Sequence, residues 1–210
     1  FHRLTTRKRY DCQCGYGISP LSGTIFHKSE TPLTDWFYII YLFAQSRNGV
    51  SAEEIKRQIG VTYKCAWRMG HQIRQLFEQN KDLLSGVVEA DETYVGGKGK
   101  HNKRGRGAEK KTAVFGIVER NGRVKAQVVP NVKRATLQPI INKSVRKQSR
   151  IMTDEFSVYS KVGLNGYSHE TIKHYAKEYV RGKVHTNNIE SFWSQLKRSI
   201  SGTHHAVSPK

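Results

Sequence analysis

Three carboxylates, Asp91, Asp154 and Glu190, stand at positions that favour shared chemistry. Asp91 and Asp154 each follow the apolar run of a predicted strand, and Glu190 borders the apolar stripe of an amphipathic helix. A carboxylate at the edge of a core is costly to desolvate unless a positive group meets it. Acids that share a cleft also raise each other's pKa, so such a cleft favours bound divalent cations.

Mg²⁺ or Mn²⁺ fits this cleft, because hard ions prefer carboxylate oxygens and retain several waters. Two such ions ~3.5–4 Å apart can activate an attacking oxygen and stabilise the leaving oxygen of a phosphoryl transfer. The alternative for Glu190 is a solvated or salt-bridged edge, since helix acids usually face solvent. Glu89, on the strand face of Asp91, ranks lower as a ligand. Glu92 and Glu155 also rank lower, because they should point away from that face.

The periodicity of residues 85–210 gives the order of the elements that would position these acids. Three antiparallel-type strands come first, with Asn121-Gly122 as a strong hairpin signal between the second and third. A helix, a fourth strand carrying Asp154 and the closing amphipathic helix follow. This order predicts an RNase H-like catalytic domain, a mixed α/β sheet flanked by helices, in which the first and fourth strands are central neighbours. The elements predicted after the first strand span 112–120, 124–130, 136–147, 149–159 and 182–202.

Residues 31–80 have helical periodicity and form a predicted helix-turn-helix region. Ser51 is a predicted N-cap with Glu54 three residues on, Gly60 ends that short helix, and a longer basic helix begins after Thr62. This pattern is typical of a helix-turn-helix, although a plain three-helix bundle with a solvated basic face is the alternative. The predicted DNA contacts on the third helix are Lys64, Arg68 and Arg74.

The net charge of +19, from 36 Lys and Arg against 17 Asp and Glu, indicates a polyanionic partner, with nucleic acid first. No apolar run approaches the ~20 residues needed to cross a bilayer, so no membrane partner is expected. Residues 98–111 hold seven Lys or Arg, and we expect this loop to lie close to DNA unless it is a solvated hairpin tip. The predicted contacts in the loop are Lys98, Lys100, Lys103, Arg104 and Arg106.

Residues 1–30 resemble part of a zinc ribbon. Cys12 and Cys14 form a C-x-C pair, whereas a structural zinc site needs four ligands, usually as two pairs with C-x-x-C-like spacing. Zinc is therefore expected only if upstream ligands complete the site. Three cysteines without a regular framework and no signal peptide favour the reducing cytoplasm. The start at Phe1 without a Met and the stop at "SPK" directly after a predicted helix lead us to expect a chain trimmed at both ends.

Three motif blocks resemble the DDE transposases of the IS1595 (ISXO2-like) family of bacterial insertion sequences. They are "VEADETYVGG", "MTDEFSVY" and "HTNNIESFWSQLKRSISGTHH", and 35 residues separate the second acid from the third. The resemblance implies that Asp91, Asp154 and Glu190 are catalytic metal ligands for two Mg²⁺ or Mn²⁺ ions. It also implies that Lys197 contacts DNA near the scissile phosphate, with Arg198 beside it. The remaining active-site positions that it implies are His185 and Asn187.

The resemblance further implies Mg²⁺-dependent strand cleavage and transfer on double-stranded DNA, at the terminal inverted repeats of the element and in the target. We expect a homodimer on DNA, associated with the nucleoid in a bacterial cytoplasm. The alternative is a non-catalytic DNA-binding protein, a decayed or domesticated transposase acting as a repressor. Acids at all three positions favour the enzyme, because a pure binder does not need them. A repair or resolving nuclease on the same fold would not need the helix-turn-helix.

Overall fold

The computed structural model describes residues 1–3, 9–77, 82–96, 111–173, 175, 180–204 and 207. The chain forms two compact units, Phe1–Glu78 and Gln79–Lys210. Within the described ranges, no helix is both long and apolar enough to cross a bilayer. The predicted loop contacts lie outside the described residues; they are Lys98, Lys100, Lys103, Arg104 and Arg106.

The first unit combines a small antiparallel sheet with three helices. Its strands, paired in the order β1-β2-β3, have two residues each. The helices enclose a core of seven buried residues: Trp36, Ile39, Val50, Ile55, Ala66, Met69 and Ile73. The elements are β1 His2–Arg3, β2 Tyr10–Asp11, β3 Gly17–Ile18, α1 Leu33–Gln45, α2 Ala52–Ile59 and α3 Tyr63–Leu76.

Side-chain caps and a left-handed glycine set the ends of α2 and the start of α3, as the sequence predicts. The Ser51 Oγ accepts a hydrogen bond from the Glu54 amide at 3.1 Å, which satisfies one of the free N–H groups of the first turn. Gly60 ends α2 with φ of 71°, a conformation that favours glycine. The Thr62 Oγ1 accepts from the Cys65 amide at 3.3 Å and caps α3.

The second unit is a mixed α/β fold built on a five-stranded sheet with the order β6-β5-β4-β7-β8. The β4–β5 and β5–β6 pairs are antiparallel, and the β4–β7 and β7–β8 pairs are parallel. The sheet thus confirms the predicted mixed architecture and the central pairing of the first and fourth strands. Its elements are β4 Val87–Val95, β5 Thr112–Glu119, β6 Val124–Val129, α4 Arg134–Ser144, β7 Arg150–Asp154, β8 Ser168–Ile172 and α5 Asn187–Ser199.

Two features of this sheet differ from the sequence prediction. β7 ends at Asp154 instead of continuing to Tyr159, because a 3-10 turn over Ser157–Tyr159 follows it. β8, which the sequence analysis did not assign as a strand, adds a fifth strand beside β7. Most of its residues are polar and only Ile172 is buried, so it lacks the apolar alternation that predicts a strand.

The side chains of the sheet pack on both faces. One face carries the large core that includes Leu137 and Ile141 of α4. On the other face α5 packs Ile189 and Trp193 against Val118. Because side chains alternate along a strand, residues 89 and 91 of β4 belong to the α5 face and residues 88, 90 and 92 to the opposite one.

Candidate active site

Asp91 and Asp154 lie side by side on neighbouring parallel strands. The β4–β7 register pairs Glu89 with Met152, and two further residues along each strand bring Asp91 level with Asp154. Neighbouring strands are ~4.8 Å apart, and residues in register carry their side chains on the same face. The backbone of the sheet therefore brings together two of the three predicted acids.

The electrostatics of Asp91 show how poorly its negative charge is compensated. Burial, followed by the charges of Glu92 and Asp154, raises the pKa of Asp91 from 3.8 to about 7. Two hydrogen bonds oppose this rise in the pKa, the first from the Glu92 backbone N–H and the second from the Trp193 indole, whose Nε1–H donates to the Asp91 Oδ2 at 3.0 Å. The Asp154 Oδ1 accepts from the Phe156 amide at 3.1 Å. The two acids form a negative, partly buried pair.

Glu89, two residues before Asp91, is fully buried and caps the N-terminus of α5. Its Oε2 accepts from the backbone amides of Asn188 at 2.9 Å and Ile189 at 3.1 Å. Its Oε1 accepts from the Asn188 side-chain amide at 2.8 Å. Thr186, the residue at the N-cap position, gives α5 no side-chain cap. A carboxylate from β4 thus satisfies the free amides of a helix that begins nearly a hundred residues later.

Arg120 completes this anchor. Its Nε donates to the Glu89 Oε1 at 2.7 Å, in an ion pair whose acid is buried and whose arginine side chain is 18% exposed. Its two Nη groups donate to the carbonyl oxygens of Lys183 at 2.7 Å and His185 at 2.9 Å. The His185 Nδ1 also lies 3.3 Å from the Glu89 Oε1. The segment that leads into α5 is therefore fixed to β4 by one buried carboxylate and to the residue that follows β5 by its guanidinium.

Glu190, the third predicted acid, lies on the first turn of α5, one residue after Ile189. Its side chain is exposed, and its Oε1 accepts from the Thr186 hydroxyl at 2.9 Å. In the part of the chain that the structure describes, no three His, Cys, Asp or Glu side chains are placed to hold a metal ion together. The structure brings Asp91 and Asp154 together and places Glu190 on the anchored first turn of α5, without completing a three-ligand cluster.

The other predicted active-site residues lie along α5 and just before it. Asn187 is the first helical residue and is exposed, and His185 precedes it in the anchor. Lys197 and Arg198 are exposed in the last turn, and the Arg198 Nε donates to the Ser194 carbonyl at 3.3 Å.

The two acids expected to point away from Asp91 have partners elsewhere. Glu92 is buried and accepts from the Tyr159 hydroxyl at 2.6 Å. Burial, the charge of Glu92 and this bond raise the pKa of Tyr159 well above its usual value. The Glu155 Oε1 accepts from the Tyr175 amide at 3.0 Å.

The α3 helix of the first unit holds the predicted DNA contacts in different environments. Arg74 is directed into the unit, where its Nη2 donates to the Val50 carbonyl at 3.1 Å and its guanidinium lies 5.3 Å from the Phe43 ring centre. Burial lowers its pKa accordingly. These contacts give Arg74 a structural role, and its contact with DNA stays a prediction. The exposed face of α3 instead presents Lys64 and Trp67.

Four residues of the site were missed or given another role from sequence: Glu89, Gly116, Arg120 and Trp193. Trp193 falls in the apolar stripe of the closing helix, which indicates a packing role, although a tryptophan three residues after a candidate ligand also offers an N–H. Gly116 interrupts an apolar strand pattern, and an isolated glycine there often marks a close approach. Arg120 and the anchoring role of Glu89 had no signal in sequence, since their partners are distant along the chain.

Residues 83–210 match the family model of the ISXO2-like transposase domain. A protein of the transposable element ISH50 from Halobacterium salinarum is 30% identical over an alignment 220 residues long, gaps included. The alignment covers 96% of this chain and 73% of that protein. A transposase-like protein of Haemophilus influenzae is 37% identical over 73 residues, covering 35% of this chain and 58% of that protein. The chain belongs to the ISXO2-like transposase family, as its motifs predict.

Two solved structures have a weaker likeness. The intasome of simian T-cell lymphotropic virus, in complex with a regulatory subunit of PP2A, has a TM-score of 0.34 at 15% identity, over 80% of this chain and 60% of that chain. The Mos1 strand transfer complex has a TM-score of 0.28 at 10% identity, over 81% of this chain and 72% of that chain. Scores this low carry no inference about this chain.

Proposed function

We propose that this protein is a DDE transposase that cleaves and transfers DNA strands at the ends of its insertion sequence. The observation that carries the proposal is the pair Asp91 and Asp154, level with each other on the two central parallel strands. In order of appearance, the strands of the second unit are arranged 3-2-1-4-5, with the second antiparallel to the rest, which supports an RNase H-like catalytic domain.

The donor set at this pair fits a divalent cation such as Mg²⁺ or Mn²⁺. Both ligands are hard carboxylate oxygens, and the raised pKa of Asp91 reports negative charge that lacks a positive partner. Asp91 and Asp154 would hold the metal, with Glu190 as the third ligand once its side chain leaves the Thr186 hydroxyl. When bound, two such ions supply activation of the attacking oxygen and stabilisation of the leaving oxygen.

The remaining residues hold and orient this site and the DNA. Glu89 and Arg120 fix the first turn of α5 to β4, which keeps Glu190 close to the strand that carries Asp91. Lys197 and Arg198, exposed on the last turn of the same helix, would bind phosphate oxygens of the DNA strand. His185 and Asn187 border the anchor at the start of α5.

The first unit would recognise the element's ends as a helix-turn-helix. Its α3 exposes Lys64 and carries Arg68 at a half-buried position. The centroid of the exposed Trp67 ring lies 3.9 Å from the centroid of the His71 ring. The strongly positive chain and its basic segment at 98–111 would add sequence-independent affinity for phosphate. Cys12 and Cys14 would contribute half of a zinc ribbon if upstream ligands exist. We further propose that the protein binds DNA as a dimer in the bacterial cytoplasm.

Mg²⁺-dependent cleavage of a duplex that carries the element's own end tests the proposed function. Wild-type protein should nick this duplex, Asp154→Asn should bind it without cleavage, and Glu190→Gln should do the same. Glu155→Gln is the matched control, because Glu155 is the neighbouring acid with a partner elsewhere, and it should cleave normally. Specific binding by the wild type without any cleavage at saturating Mg²⁺ would favour the repressor instead.

A further inference from the structure

Trp193 is buried on the α5 face of the sheet, and its indole N–H contacts the candidate metal site. The side chain packs with Ile189 and Val118 and is 4% exposed. Its Nε1–H donates to the Asp91 Oδ2 at 3.0 Å. A tryptophan that served packing alone would need an acceptor for this N–H, but a backbone carbonyl would suffice. Here the acceptor is one of the two adjacent aspartates.

Gly116 makes this position of the indole possible. It is the β5 residue paired with Asp91 in the antiparallel register. A Cβ built on Gly116 would lie 2.5 Å from the Trp193 Cη2 and 2.6 Å from its Cζ2, far inside van der Waals contact. The indole ring therefore lies directly on the β5 backbone beside Asp91. Any residue with a Cβ at position 116 would displace the ring.

The bond restricts the Asp91 carboxylate in a defined way. A hydrogen bond from a rigid, buried ring restricts the rotation of the carboxylate. The Glu92 backbone N–H is a second donor, and two donors still leave lone pairs of the carboxylate available to a cation. The N–H also favours the ionised form of the acid, against the burial and the neighbouring negative charges that oppose it. Groups that orient ligating carboxylates in this way commonly change metal affinity 10–100-fold when they are removed.

We propose that Trp193 is a positioning residue for Asp91, holding its carboxylate in the orientation that binds a divalent cation. The inference rests on the proposed function, because it presumes that Asp91 is a metal ligand. Neither the predicted ligand set nor the family assignment includes Trp193. The positioning role differs from a general contribution to the core, since it requires the indole N–H and not the bulk of the ring.

The chain has three tryptophans, which allows an internally controlled experiment. Trp36 is fully buried and its Nε1–H donates to the Ser29 Oγ at 2.9 Å, so it is a matched buried indole in the first unit. Trp67 is 51% exposed. In a ¹⁵N-labelled full chain, three indole N–H signals are expected, and the Trp193→Phe and Trp36→Phe variants assign them. Mg²⁺ binding is measured in parallel by calorimetry.

During a Mg²⁺ titration, the Trp193 signal should move along the calorimetric binding curve while the Trp36 and Trp67 signals stay in place. Trp193→Phe, which keeps an aromatic ring over Gly116, should bind Mg²⁺ about tenfold more weakly. Trp36→Phe, which loses an equivalent buried hydrogen bond, should bind as the wild type does. If Trp193→Phe does not fold, Trp67→Phe replaces it in assigning the signals, and the wild-type titration then decides.

Two failures are distinguishable. If the wild type binds Mg²⁺ but the Trp193 signal does not respond, or Trp193→Phe binds within about twofold of the wild type, the positioning role is wrong and the proposed function stands. If calorimetry shows no Mg²⁺ binding by the wild type at all, the metal site of the proposed function fails and the role of Trp193 fails with it.

Discussion

Glu89 and Asp91 are two carboxylates on the same face of one strand, yet their environments are opposite. Glu89 is fully buried and accepts from two backbone amides, one side-chain amide and a guanidinium. Asp91 accepts the Glu92 backbone N–H and the Trp193 indole N–H, and the negative charges of Glu92 and Asp154 lie close to it. Burial alone does not mark a functional acid. Glu89, whose charge is compensated, stabilises the fold. Asp91, whose charge is not compensated, is available to bind a ligand.

Removing Glu89 should give the largest change in stability. Glu89→Ala leaves Arg120 without its partner and the α5 amides without a cap, and breaking a buried ion pair costs about 3 kcal/mol or more. Urea unfolding followed by circular dichroism measures it. Glu170→Ala is the control, because Glu170 pairs with Arg150 at 3.2 Å with both side chains a third or more exposed, and it should cost less than ~1 kcal/mol. Equal losses in the two variants would contradict the anchoring role.

Asp91→Asn should raise the free energy of unfolding instead of lowering it, and by less than Glu89→Ala lowers it. The pKa of Asp91 is raised in the folded protein, so its stabilising contribution is complete below about pH 4 and is lost as pH rises through about 7. The rise from 3.8 to about 7 corresponds to ~4 kcal/mol, and the partial exposure of Asp91 reduces the expected gain to ~2 kcal/mol. At pH 8 without metal the variant should therefore be the more stable protein, and at pH 4 the two should be equal.

Mg²⁺ sharpens the same comparison. Added at pH 8, it should stabilise the wild type against heat and have little effect on Asp91→Asn, because the variant lacks the ligand charge. An Asp91→Asn protein that is less stable than the wild type at pH 8 without metal would show that the negative charge of Asp91 is compensated after all.

The contrast between compensated and uncompensated charge recurs, more weakly, on α3. Arg74→Ala removes the donor to the Val50 carbonyl and the packing of the side-chain stem, and it should cost about 1.5 kcal/mol. Lys64→Ala, at an exposed position of the same helix, should stay within ~0.5 kcal/mol of the wild type. Thermal unfolding compares the two variants. Equal melting temperatures would show that the Arg74 side chain contributes no more to stability than the exposed Lys64.

DNA binding by the same two variants gives the smallest expected effect. Lys64→Ala should reduce the slope of log affinity against log salt by about 1, because one phosphate contact is lost. Arg74→Ala should leave the slope unchanged at a temperature where it is folded. A slope that falls for Arg74→Ala and stays constant for Lys64→Ala would reverse our assignment of the DNA-binding face.

Local chemistry made parts of this structure predictable from sequence. The caps at Ser51 and Thr62 and the left-handed Gly60 depend on residues within a few positions of each other. The central pairing of the strands that carry Asp91 and Asp154 followed from the order of the elements. Three results did not follow. β8 lacks an apolar pattern, Arg74 resembles a surface residue in sequence, and the anchoring of α5 by Glu89 joins residues that no local pattern connects.

The anchor between Glu89 and α5 has a consequence for the order of events during synthesis. The contacts from Asn188 and Ile189 to Glu89 span 99 and 100 residues of chain. Contacts so distant in sequence form late, because the entropy of closing a long loop must be overcome first. At the 5–20 residues per second of a ribosome, ~5–20 s pass between the emergence of Glu89 and that of its helix. The nascent chain therefore carries its first acid, and the carboxylate that anchors α5, well before the helix that bears the third acid has been synthesised.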